Sequence, residues 1–506
     1  MDIVAIHAAK HPHRVALIEG ERSLTWEEFF RTRNRLAHAL TGLGIGVGQH
    51  AIVYAHNALD NLLVGAALRA LGAVGVPMNH RLTAEEVAYI LDNSDATTVF
   101  VGDGFVSMAE RVRDASRVKH WVTLGAERRP WATPLAELLA RGSDAPPPAP
   151  AAMGGSMIYT AGTTGKPKGA LRRVMDVAAA LPRLAALNCL DPDQVHLVAG
   201  PLYHSAPGAF ALYAQMVGGT VVVMRKFDPE DALRQIERHR CTTTFMAPTL
   251  LKRIVDLPAE VRARYDLSSM RSLVIAAAPC PMRVKEQALA TFGPVLYEFY
   301  GSTELGVNTV LHPDDVLRKP GSCGRAAPGV ELAVLDDEGR PAPPGTPGEL
   351  FVRRYDGVFD EYYRNAAATA QTSRGEWMSV GDVAWIDDEG FVYICDRKRD
   401  MIISGGVNIY PAEIEDALHR HPAVEDAAVF GVPDPEWGER VHAAIQLRPG
   451  RHASEQELVD FCRAHLADYK APREVSFHED FPRDTAGKLV KRLLREPYWA
   501  GRAVKI

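Results

Sequence analysis

This sequence of 506 residues lacks the features of several specialised protein classes. Its formal net charge is −6, so it has no excess of basic residues of the kind that binds nucleic acid. Its six cysteines lie far apart and form no C-x-x-C pair, which argues against a zinc site and against a disulfide framework in so large a protein. We expect reduced thiols in the core at Cys189, Cys241, Cys280, Cys323, Cys395 and Cys462.

Long hydrophobic runs are also missing. The longest apolar stretch, near residues 211–224, is interrupted by Gln215 and two glycines and is too short to span a bilayer. The amino terminus lacks a basic region followed by an apolar core, so no secretory signal is predicted. Together these absences predict a cytoplasmic protein with no transmembrane segment.

The composition that remains is that of an ordinary globular protein. A chain of this length exceeds one simple core, so we expect two or more domains. Through the first three hundred residues, short β-rich runs alternate with helices, two of which begin with capping boxes at Thr25 and Thr83. This alternation predicts a parallel, doubly wound sheet. The predicted strands include residues 14–19, 51–54, 99–101, 221–224 and 272–275.

The pattern changes twice in the last third of the chain. Short strands at 330–335, 349–352 and 391–394 are separated by turn signals, which predicts a small antiparallel barrel or sheet. Beyond residue 396 the sequence predicts a compact α+β unit of about a hundred residues, plausible as a separate domain. Its predicted elements are helices at 411–418 and 454–467 and strands at 427–430 and 443–447.

A segment rich in glycine, threonine and lysine at residues 159–169 is the strongest chemical signal in the chain. It follows an apolar run at 156–158 and is predicted to be the loop after a strand. Its glycines allow a sharp turn with N–H groups facing a ligand, and its hydroxyls and lysines add donors and positive charge. This combination suits a polyphosphate, although the spacing does not match a P-loop. The alternative is an ordinary glycine-rich surface turn.

Further segments carry polar or small residues in an informative order. They are Pro201-Leu202-Tyr203-His204-Ser205, Ile275-Ala276-Ala277-Ala278-Pro279, Tyr300-Gly301-Ser302-Thr303-Glu304, Gly381-Asp382, Asp396-Arg397-Lys398-Arg399-Asp400, Ser404-Gly405-Gly406-Val407-Asn408-Ile409-Tyr410-Pro411 and Pro482-Arg483-Asp484-Thr485-Ala486-Gly487-Lys488. With the 159–169 loop they resemble, over nearly the full length, the adenylate-forming acyl/aryl-CoA synthetases, which include luciferases and peptide-synthetase adenylation domains.

The resemblance implies an α/β fold in which a large N-terminal domain combines two doubly wound sheets with a β-barrel. A small, mobile α+β C-terminal domain would act as a lid. The implied boundaries are 1–396 for the N-terminal domain, 397–399 for the hinge and 400–506 for the lid. Arg399 takes the hinge position, which is usually Asp or Lys, and an arginine can still absorb the backbone rotation of a hinge.

The resemblance also implies a nucleotide site for ATP and Mg²⁺. The 159–169 loop wraps the β- and γ-phosphates, with Ala161 in place of the usual serine and Lys166 at a variable position. Thr303 holds the α-phosphate, and Glu304 with Thr160 holds Mg²⁺. The remaining implied residues are Gly162, Thr163, Thr164, Gly165 and Lys168 on phosphate, Ala277, Ala278 and Tyr300 on adenine, and Asp382 and Arg397 on ribose. Taken alone, the 300–304 segment could equally be a core tyrosine followed by a helix cap.

Catalysis and CoA binding are implied by the later motifs. Lys488 would contact both the carboxylate and the α-phosphate, where a cation is needed as charge grows on the leaving pyrophosphate. Ser404, Gly405 and Gly406 would line the pantetheine tunnel. Weaker matches predict contacts of Trp437, Arg81 and Lys226 with the nucleotide part of CoA. The alternatives are that Trp437 is a core residue and that Arg81 and Lys226 are solvated surface charges.

The acyl pocket is the least readable part of the sequence. His204 would adjoin the carboxylate tunnel, and Gly306, Val307 and Asn308 would line the pocket. Residues 201–205 contain no acidic side chain, which favours an uncharged fatty or aryl acid over an amino acid.

The sequence thus predicts an ATP-dependent, AMP-forming acid–thiol ligase with a carboxylic acid, ATP and CoA as substrates and Mg²⁺ as the ion. One alternative is an adenylating enzyme that loads a carrier protein. The other is a non-catalytic nucleotide- or acyl-binding regulator. The sequence does not determine the oligomeric state, and a homodimer is one candidate.

Overall fold

The computed structural model describes residues 2–160, 167–173, 177–336, 338–397, 400–404, 407–435, 437–483 and 489–500. Within the helix and the strand that contain them, the side chains of residues 177–179, 396 and 397 lie outside this description. In the described part of the chain, no helix is both long enough and apolar enough to cross a membrane. The six cysteines all lie in the described ranges, none of them forms a disulfide, and four are buried.

The first sheet has seven strands, and its first six run parallel while the last pair is antiparallel. Its central strands, such as Thr220–Val223, are buried along their whole length, as expected for a sheet covered by helices on both faces. In spatial order the strands are Leu296–Glu298, Ser272–Ile275, Thr243–Met246, Val195–Val198, Thr220–Val223, Val15–Glu19 and Arg22–Thr25.

The second sheet has eight strands and is parallel except at one edge. At that edge Ser156–Thr160 and Lys168–Arg172 form an antiparallel pair whose register sets Thr160 opposite Lys168. The predicted phosphate loop therefore connects two strands of a hairpin. In spatial order the strands are Glu361–Tyr362, Lys168–Arg172, Ser156–Thr160, Val74–Pro77, His50–Tyr54, Thr98–Gly102, His120–Leu124 and Thr133–Pro134.

The antiparallel barrel or sheet that the sequence predicts is present as a sheet of six strands. Five follow in the order Ser373–Arg374, Trp377–Met378, Gly348–Arg353, Asp382–Ile386 and Val392–Arg397, and Leu332–Leu335 pairs with Gly348–Arg353. Two short pairs precede this sheet in the chain, Gly301–Ser302 with Gly306–Val307 and Thr309–Val310 with Arg325–Ala326.

The C-terminal sheet follows the predicted α+β pattern. Its long hairpin, Val424–Asp434 and Gly438–Leu447, extends well beyond the two short strands that the sequence predicts there. Ile402–Ser404 and Val407–Ile409 pair beside it, and Glu474–His478 runs parallel to Gly438–Leu447. The exact domain and hinge boundaries stay a prediction.

The helices begin where the sequence signals predict. Thr25 and Thr83 each close a capping box, with Glu28 and Glu86 as the acidic partners. The helices of the described residues are Ile3–Lys10, Trp26–Gly42, Leu59–Ala70, Ala84–Asn93, Val106–Val112, Leu135–Arg141, Val177–Ala186, Ser205–Val217, Pro229–His239, Pro248–Val255, Ala259–Arg262, Met282–Phe292, Ala366–Gln371, Pro411–His419, Glu455–His465 and Lys491–Trp499.

The two parallel sheets share one apolar core. It contains Leu17 and Val221 from the first sheet and Phe100 and Val122 from the second. Buried Asn57 links the two sheets at the carboxyl ends of their strands. Its amide donates to the carbonyl oxygens of Gly200 and Met224 at 2.9 and 3.1 Å, and its oxygen accepts from the Leu202 N–H at 2.8 Å. Loops from both sheets consequently meet in one region, where ligands of open α/β sheets bind.

Candidate active site

The residues predicted to bind phosphate and metal lie around the carboxylate of Glu304. Glu304 is 7% exposed, and its Oε1 accepts a hydrogen bond of 2.7 Å from the Tyr362 hydroxyl. The Thr160 hydroxyl lies 3.5 Å from the same oxygen. Carboxylate and hydroxyl oxygens suit Mg²⁺, which is typically bound by one or two protein groups together with substrate phosphates and water. The residues predicted for the metal are thus brought together, although they are 144 positions apart in sequence.

Tyr362 is a site residue that the sequence reasoning missed. Besides its hydrogen bond to Glu304, its ring faces the Lys168 ammonium at 5.3 Å from the centroid. The short strand Glu361–Tyr362 pairs with Lys168–Arg172, so backbone pairing sets this contact. The only signal in the sequence is the pair Tyr362-Tyr363, and nothing local points to a carboxylate 58 positions away.

The segment that carries Thr303 and Glu304 is anchored at two points. Arg172 donates to the Thr303 carbonyl oxygen at 3.1 Å, and the Phe359 N–H donates to the Glu304 carbonyl oxygen at 2.7 Å. Both anchors come from the edge of the second sheet, because Arg172 ends the strand Lys168–Arg172 and Phe359 lies just before the edge strand Glu361–Tyr362. The alternative of a helix cap at Thr303 is wrong, because residues 303–305 form the turn that connects the paired strands Gly301–Ser302 and Gly306–Val307.

Tyr300 and Asp382 form the second group. The Tyr300 hydroxyl donates to Asp382 Oδ2 at 2.5 Å, which joins the predicted adenine and ribose residues. Asp382 is buried and faces Arg397 in the register of two antiparallel strands. Only the backbone of Arg397 is described, so its predicted contact with the ribose stays a prediction.

The predicted adenine loop has an unusual backbone. Ala277 adopts φ +78°, in the left-handed region, directly after the strand Ser272–Ile275. A left-handed conformation costs an L-residue about 1–2 kcal/mol. Glycine adopts this backbone without strain, so Ala277 bears a cost that a glycine would not. Ala277 is exposed and Ala278 is half-buried, so both can face a ligand.

His204 lies among other aromatic side chains. It precedes the helix Ser205–Val217, and its ring centroid is 4.5 Å from that of Tyr203. The His80 ring lies 5.1 Å from Tyr203 and 4.5 Å from His56. Burial lowers the pKa of His80 to about 4, with smaller contributions from the neighbouring His56, Arg81 and His204. His80 is therefore neutral at physiological pH, and neither it nor His56 was predicted for the site.

Three exposed cations surround this histidine group. Arg81 follows His80 directly, and Arg225 and Lys226 follow the strand Thr220–Val223. Burial lowers the pKa of His56, and Arg225 and Lys226 lower it further. Within the described ranges none of the three cations has a carboxylate partner, whereas most surface arginines of this protein have one. Free cations that converge in this way favour an anionic ligand.

The predicted pantetheine segment is partly described. Ser404 pairs with Gly438 in the C-terminal sheet, which brings it beside Trp437. Trp437 is 53% exposed, so the alternative of a core tryptophan is wrong. Ile403 and Val407 on the same hairpin are also exposed. Gly405 and Gly406 lie outside the described residues.

The other predicted residues outside the described ranges belong to the phosphate loop, the hinge and the C-terminal motif. They are Gly162, Thr163, Thr164, Gly165, Arg399 and Lys488, with Ala161 and Lys166. The segment with Lys488 is bracketed by a bridge between Arg483 and Leu489. Arg483 also forms an ion pair with Asp426 on the long hairpin of the C-terminal sheet. The roles assigned to these residues stay predictions.

Known proteins match this arrangement along the whole chain. Residues 4–363 match the AMP-binding enzyme family, and residues 413–488 match the AMP-binding enzyme C-terminal domain. The chain belongs to the AMP-binding enzyme family. Membership confirms the resemblance that the motifs indicated, and similar solved structures confirm the α/β fold with its large N-terminal and small C-terminal parts. This AMP-binding enzyme is accordingly an adenylate-forming ligase, a class that uses ATP.

Similar members of the family differ in the acceptor that they use. The fatty acid–acyl-carrier-protein ligase ScoC of Streptomyces coeruleorubidus is 34% identical over 513 residues, covering 99% of this chain and 97% of that protein. Feruloyl-CoA synthase of an Amycolatopsis species is 34% identical and covers 97% of both chains. The structure of the amide bond synthetase McbA from Marinactinospora thermotolerans is 30% identical, with a TM-score of 0.88 over 98% of this chain and 99% of that one.

Proposed function

We propose that this AMP-binding enzyme is an ATP-dependent carboxylate–CoA ligase. It joins a carboxylic acid to AMP with release of pyrophosphate, and then transfers the acyl group to the sulfur of CoA with release of AMP. The observation that carries the proposal is the meeting of Thr160, Glu304, Tyr300 and Asp382 in two hydrogen-bonded groups. These groups match the two ends of a nucleotide, the phosphates and the ribose with its base.

In the first half-reaction, Thr160 and Glu304 provide oxygen ligands where Mg²⁺ would bind. The ion would neutralise charge on the phosphates. Thr303 binds the α-phosphate, Tyr300 stacks on adenine, and Asp382 accepts from the ribose hydroxyls. Lys488 aligns the carboxylate with the α-phosphorus and offsets the charge that develops as pyrophosphate leaves.

In the second half-reaction, the C-terminal domain rotates about residues 397–399. The rotation withdraws Lys488 and brings the hairpin of Ser404 and Val407 toward the acyl-adenylate. The exposed Ile403, Val407 and Trp437 support this step, because apolar side chains on a surface hairpin gain stability when they dock. Exchange of catalytic groups on the lid lets one pocket serve two reactions.

The charge distribution supports free CoA as the acceptor. Three exposed cations, Arg81, Arg225 and Lys226, have no carboxylate partner among the described residues, and Trp437 offers an exposed ring for a base. Free CoA carries a phosphorylated ADP group that matches these features. The phosphopantetheine arm of a carrier protein lacks that nucleotide, and an amine acceptor lacks it as well.

The acyl pocket supports an uncharged acid. Val307 packs with Phe299 and Tyr355, and the rings of Phe210 and Phe245 stack near Phe299. Residues 201–205 offer no carboxylate for an ammonium group. Apolar walls of this kind suit a fatty chain or an aryl acid.

The decisive experiment measures AMP and pyrophosphate release with fatty acids, benzoates, cinnamates and steroid-type acids. Each acid is tested with CoA, 3′-dephospho-CoA and phosphopantetheine as acceptors. We expect CoA-dependent AMP release, and a kcat/KM for CoA at least tenfold above that for phosphopantetheine. Arg81→Gln should narrow this ratio, whereas Arg238→Gln, at a remote surface pair with Glu21, should not.

Two outcomes would contradict the proposal. Pyrophosphate release without transfer to CoA, but with acylation of a carrier protein, would establish the carrier-loading alternative. Nucleotide binding without pyrophosphate release for every acid would instead favour the non-catalytic regulator. A cytoplasmic location and a homodimer stay predictions, to be checked by cell fractionation and by light scattering.

A further inference from the structure

We propose that Tyr362 is a positioning residue of the nucleotide site. It would orient both the metal-binding carboxylate of Glu304 and the phosphate-binding ammonium of Lys168. This inference rests on the proposed function, because those two groups matter only if a metal-bound nucleotide lies between them.

The hydroxyl of Tyr362 fixes one oxygen of Glu304. Tyr362 is 8% exposed, and it donates to Oε1 of a carboxylate that is itself largely removed from solvent. The Thr160 hydroxyl is near the same Oε1. In the described part of the chain no residue donates to Oε2. The hydroxyl therefore holds Oε1 in place, and no described residue competes with a cation for Oε2.

The ring of Tyr362 faces Lys168. The ammonium lies 5.3 Å from the ring centroid, within the range of a cation–π contact. The backbone supports this arrangement, because Tyr362 pairs with Ala170 and the Tyr363 N–H donates to the Gly169 carbonyl oxygen at 2.8 Å. The side chain of Tyr362 thus sets the distance between the Lys168 ammonium and the Glu304 carboxylate.

Groups that orient a metal ligand affect metal binding without touching the metal. Removal of such a partner typically weakens metal affinity by 10–100-fold. Without the hydroxyl, Glu304 would lose its fixed rotamer and would be buried with one oxygen less well satisfied. The expected defect is therefore in binding of the Mg²⁺–nucleotide complex and not in the transfer to CoA.

The test compares Tyr362→Phe with Tyr363→Phe. The second variant is a matched control, because the Tyr363 hydroxyl donates to Asp95 on the surface at 2.8 Å and not to the site. Calorimetry with α,β-methylene-ATP and Mg²⁺ should show about tenfold weaker binding for Tyr362→Phe and unchanged binding for Tyr363→Phe. Thioester formation from preformed acyl-adenylate should be unchanged in both.

A second variant, Tyr362→Leu, removes the ring as well. It should weaken α,β-methylene-ATP binding by a further factor of about three, because the Lys168 ammonium loses its contact with the ring. AMP binding should stay the same, because Lys168 is predicted to bind the β- and γ-phosphates, which AMP lacks. Unchanged nucleotide binding in Tyr362→Phe would overturn the proposal. So would an equal loss in both half-reactions, which indicates a merely structural role.

The double variant Tyr362→Phe with Glu304→Gln distinguishes a general loss of stability from a loss of Glu304 positioning, when its nucleotide affinity is compared with that of each single variant. If Tyr362 acts through Glu304, the two losses of affinity will not add; additive losses contradict the proposal. The failure of the proposed function has a different signature, namely wild-type protein that does not bind α,β-methylene-ATP with Mg²⁺.

Discussion

At the scale of single residues, the backbone of Ala277 is strained. Ala277 has a left-handed backbone with φ +78° just after a buried strand, and it is itself one of the residues predicted to contact adenine. Backbone strain of this kind persists where the surroundings impose it, and it is often found at ligand sites. The same loop leads through Pro279 and Pro281 into the helix Met282–Phe292, which limits how far it can relax.

We predict that Ala277→Gly stabilises the protein. Glycine removes the cost of the left-handed backbone, which is about 1–2 kcal/mol in the folded state. It also favours the unfolded chain by about 0.4–1 kcal/mol through its greater entropy, so the net gain in the free energy of unfolding should be about 0.5–1 kcal/mol. Denaturant unfolding measures it directly. Ala278→Gly is the control and should destabilise, since Ala278 has an ordinary negative φ. A loss of stability in Ala277→Gly would contradict the claim that the backbone of Ala277 is strained.

At the scale of secondary-structure elements, a buried ion pair joins two elements that flank the adenine region. Lys285 on the helix Met282–Phe292 pairs with Glu298 at the end of the strand Leu296–Glu298. Lys285 is 2% exposed. The pair holds the helix that follows Ala277 against the strand that leads to Tyr300, so both segments predicted to bind adenine depend on it.

We predict that Lys285→Met destabilises the protein by about 3 kcal/mol, because it leaves the Glu298 carboxylate buried without its cation. Lys285→Met with Glu298→Gln should recover much of this loss. Unfolding in denaturant gives the stabilities, and calorimetry with ATP should show weaker binding in the single variant. A stability change below about 1 kcal/mol would show that water reaches Glu298 after the substitution.

At the scale of the whole molecule, an ion-pair network connects the two parts of the enzyme. Lys252 on the helix Pro248–Val255 pairs with Glu425 of the C-terminal sheet, and Arg448 reaches Glu425 at 3.0 Å. Next to Glu425, Asp426 pairs with Arg483, at the base of the Lys488 segment. The network thus connects the long hairpin of the C-terminal sheet to the helix Pro248–Val255 of the N-terminal part. A rotation of the lid has to break it.

We predict that Glu425→Gln slows adenylation by up to about fivefold, as expected for a partly exposed pair worth about 1 kcal/mol or less. Thioester formation from preformed acyl-adenylate should be unchanged or faster, because the pair opposes rotation. The two half-reactions are measured separately at low and high salt, and the difference should shrink as salt screens the charges. Glu21→Gln, at a surface pair within the N-terminal part, is the control. Equal slowing of both half-reactions would show that the network has no part in lid movement.

The residue patterns of the sequence were sufficient for the fold class and for the order of the motifs. Capping boxes and alternating polarity depend on neighbours a few positions apart, so Thr25, Thr83 and the strand Thr220–Val223 could be recognised directly. The antiparallel sheet could be predicted only as a barrel or sheet, because strand pairing in it is not local.

The contacts that orient the site were decided by the tertiary structure. Tyr300 is hydrogen-bonded to Asp382, which is 82 positions away in the sequence, and Tyr362 is hydrogen-bonded to Glu304, which is 58 positions away. No short sequence pattern encodes either pair. Local periodicity determines which segments become strands and helices. The partner of a buried polar atom depends on which strands become neighbours in the sheets and on how closely the chain packs around it. The sequence by itself therefore determined the family and its motifs, and only the folded chain decided that Tyr362 stands between the carboxylate and the lysine.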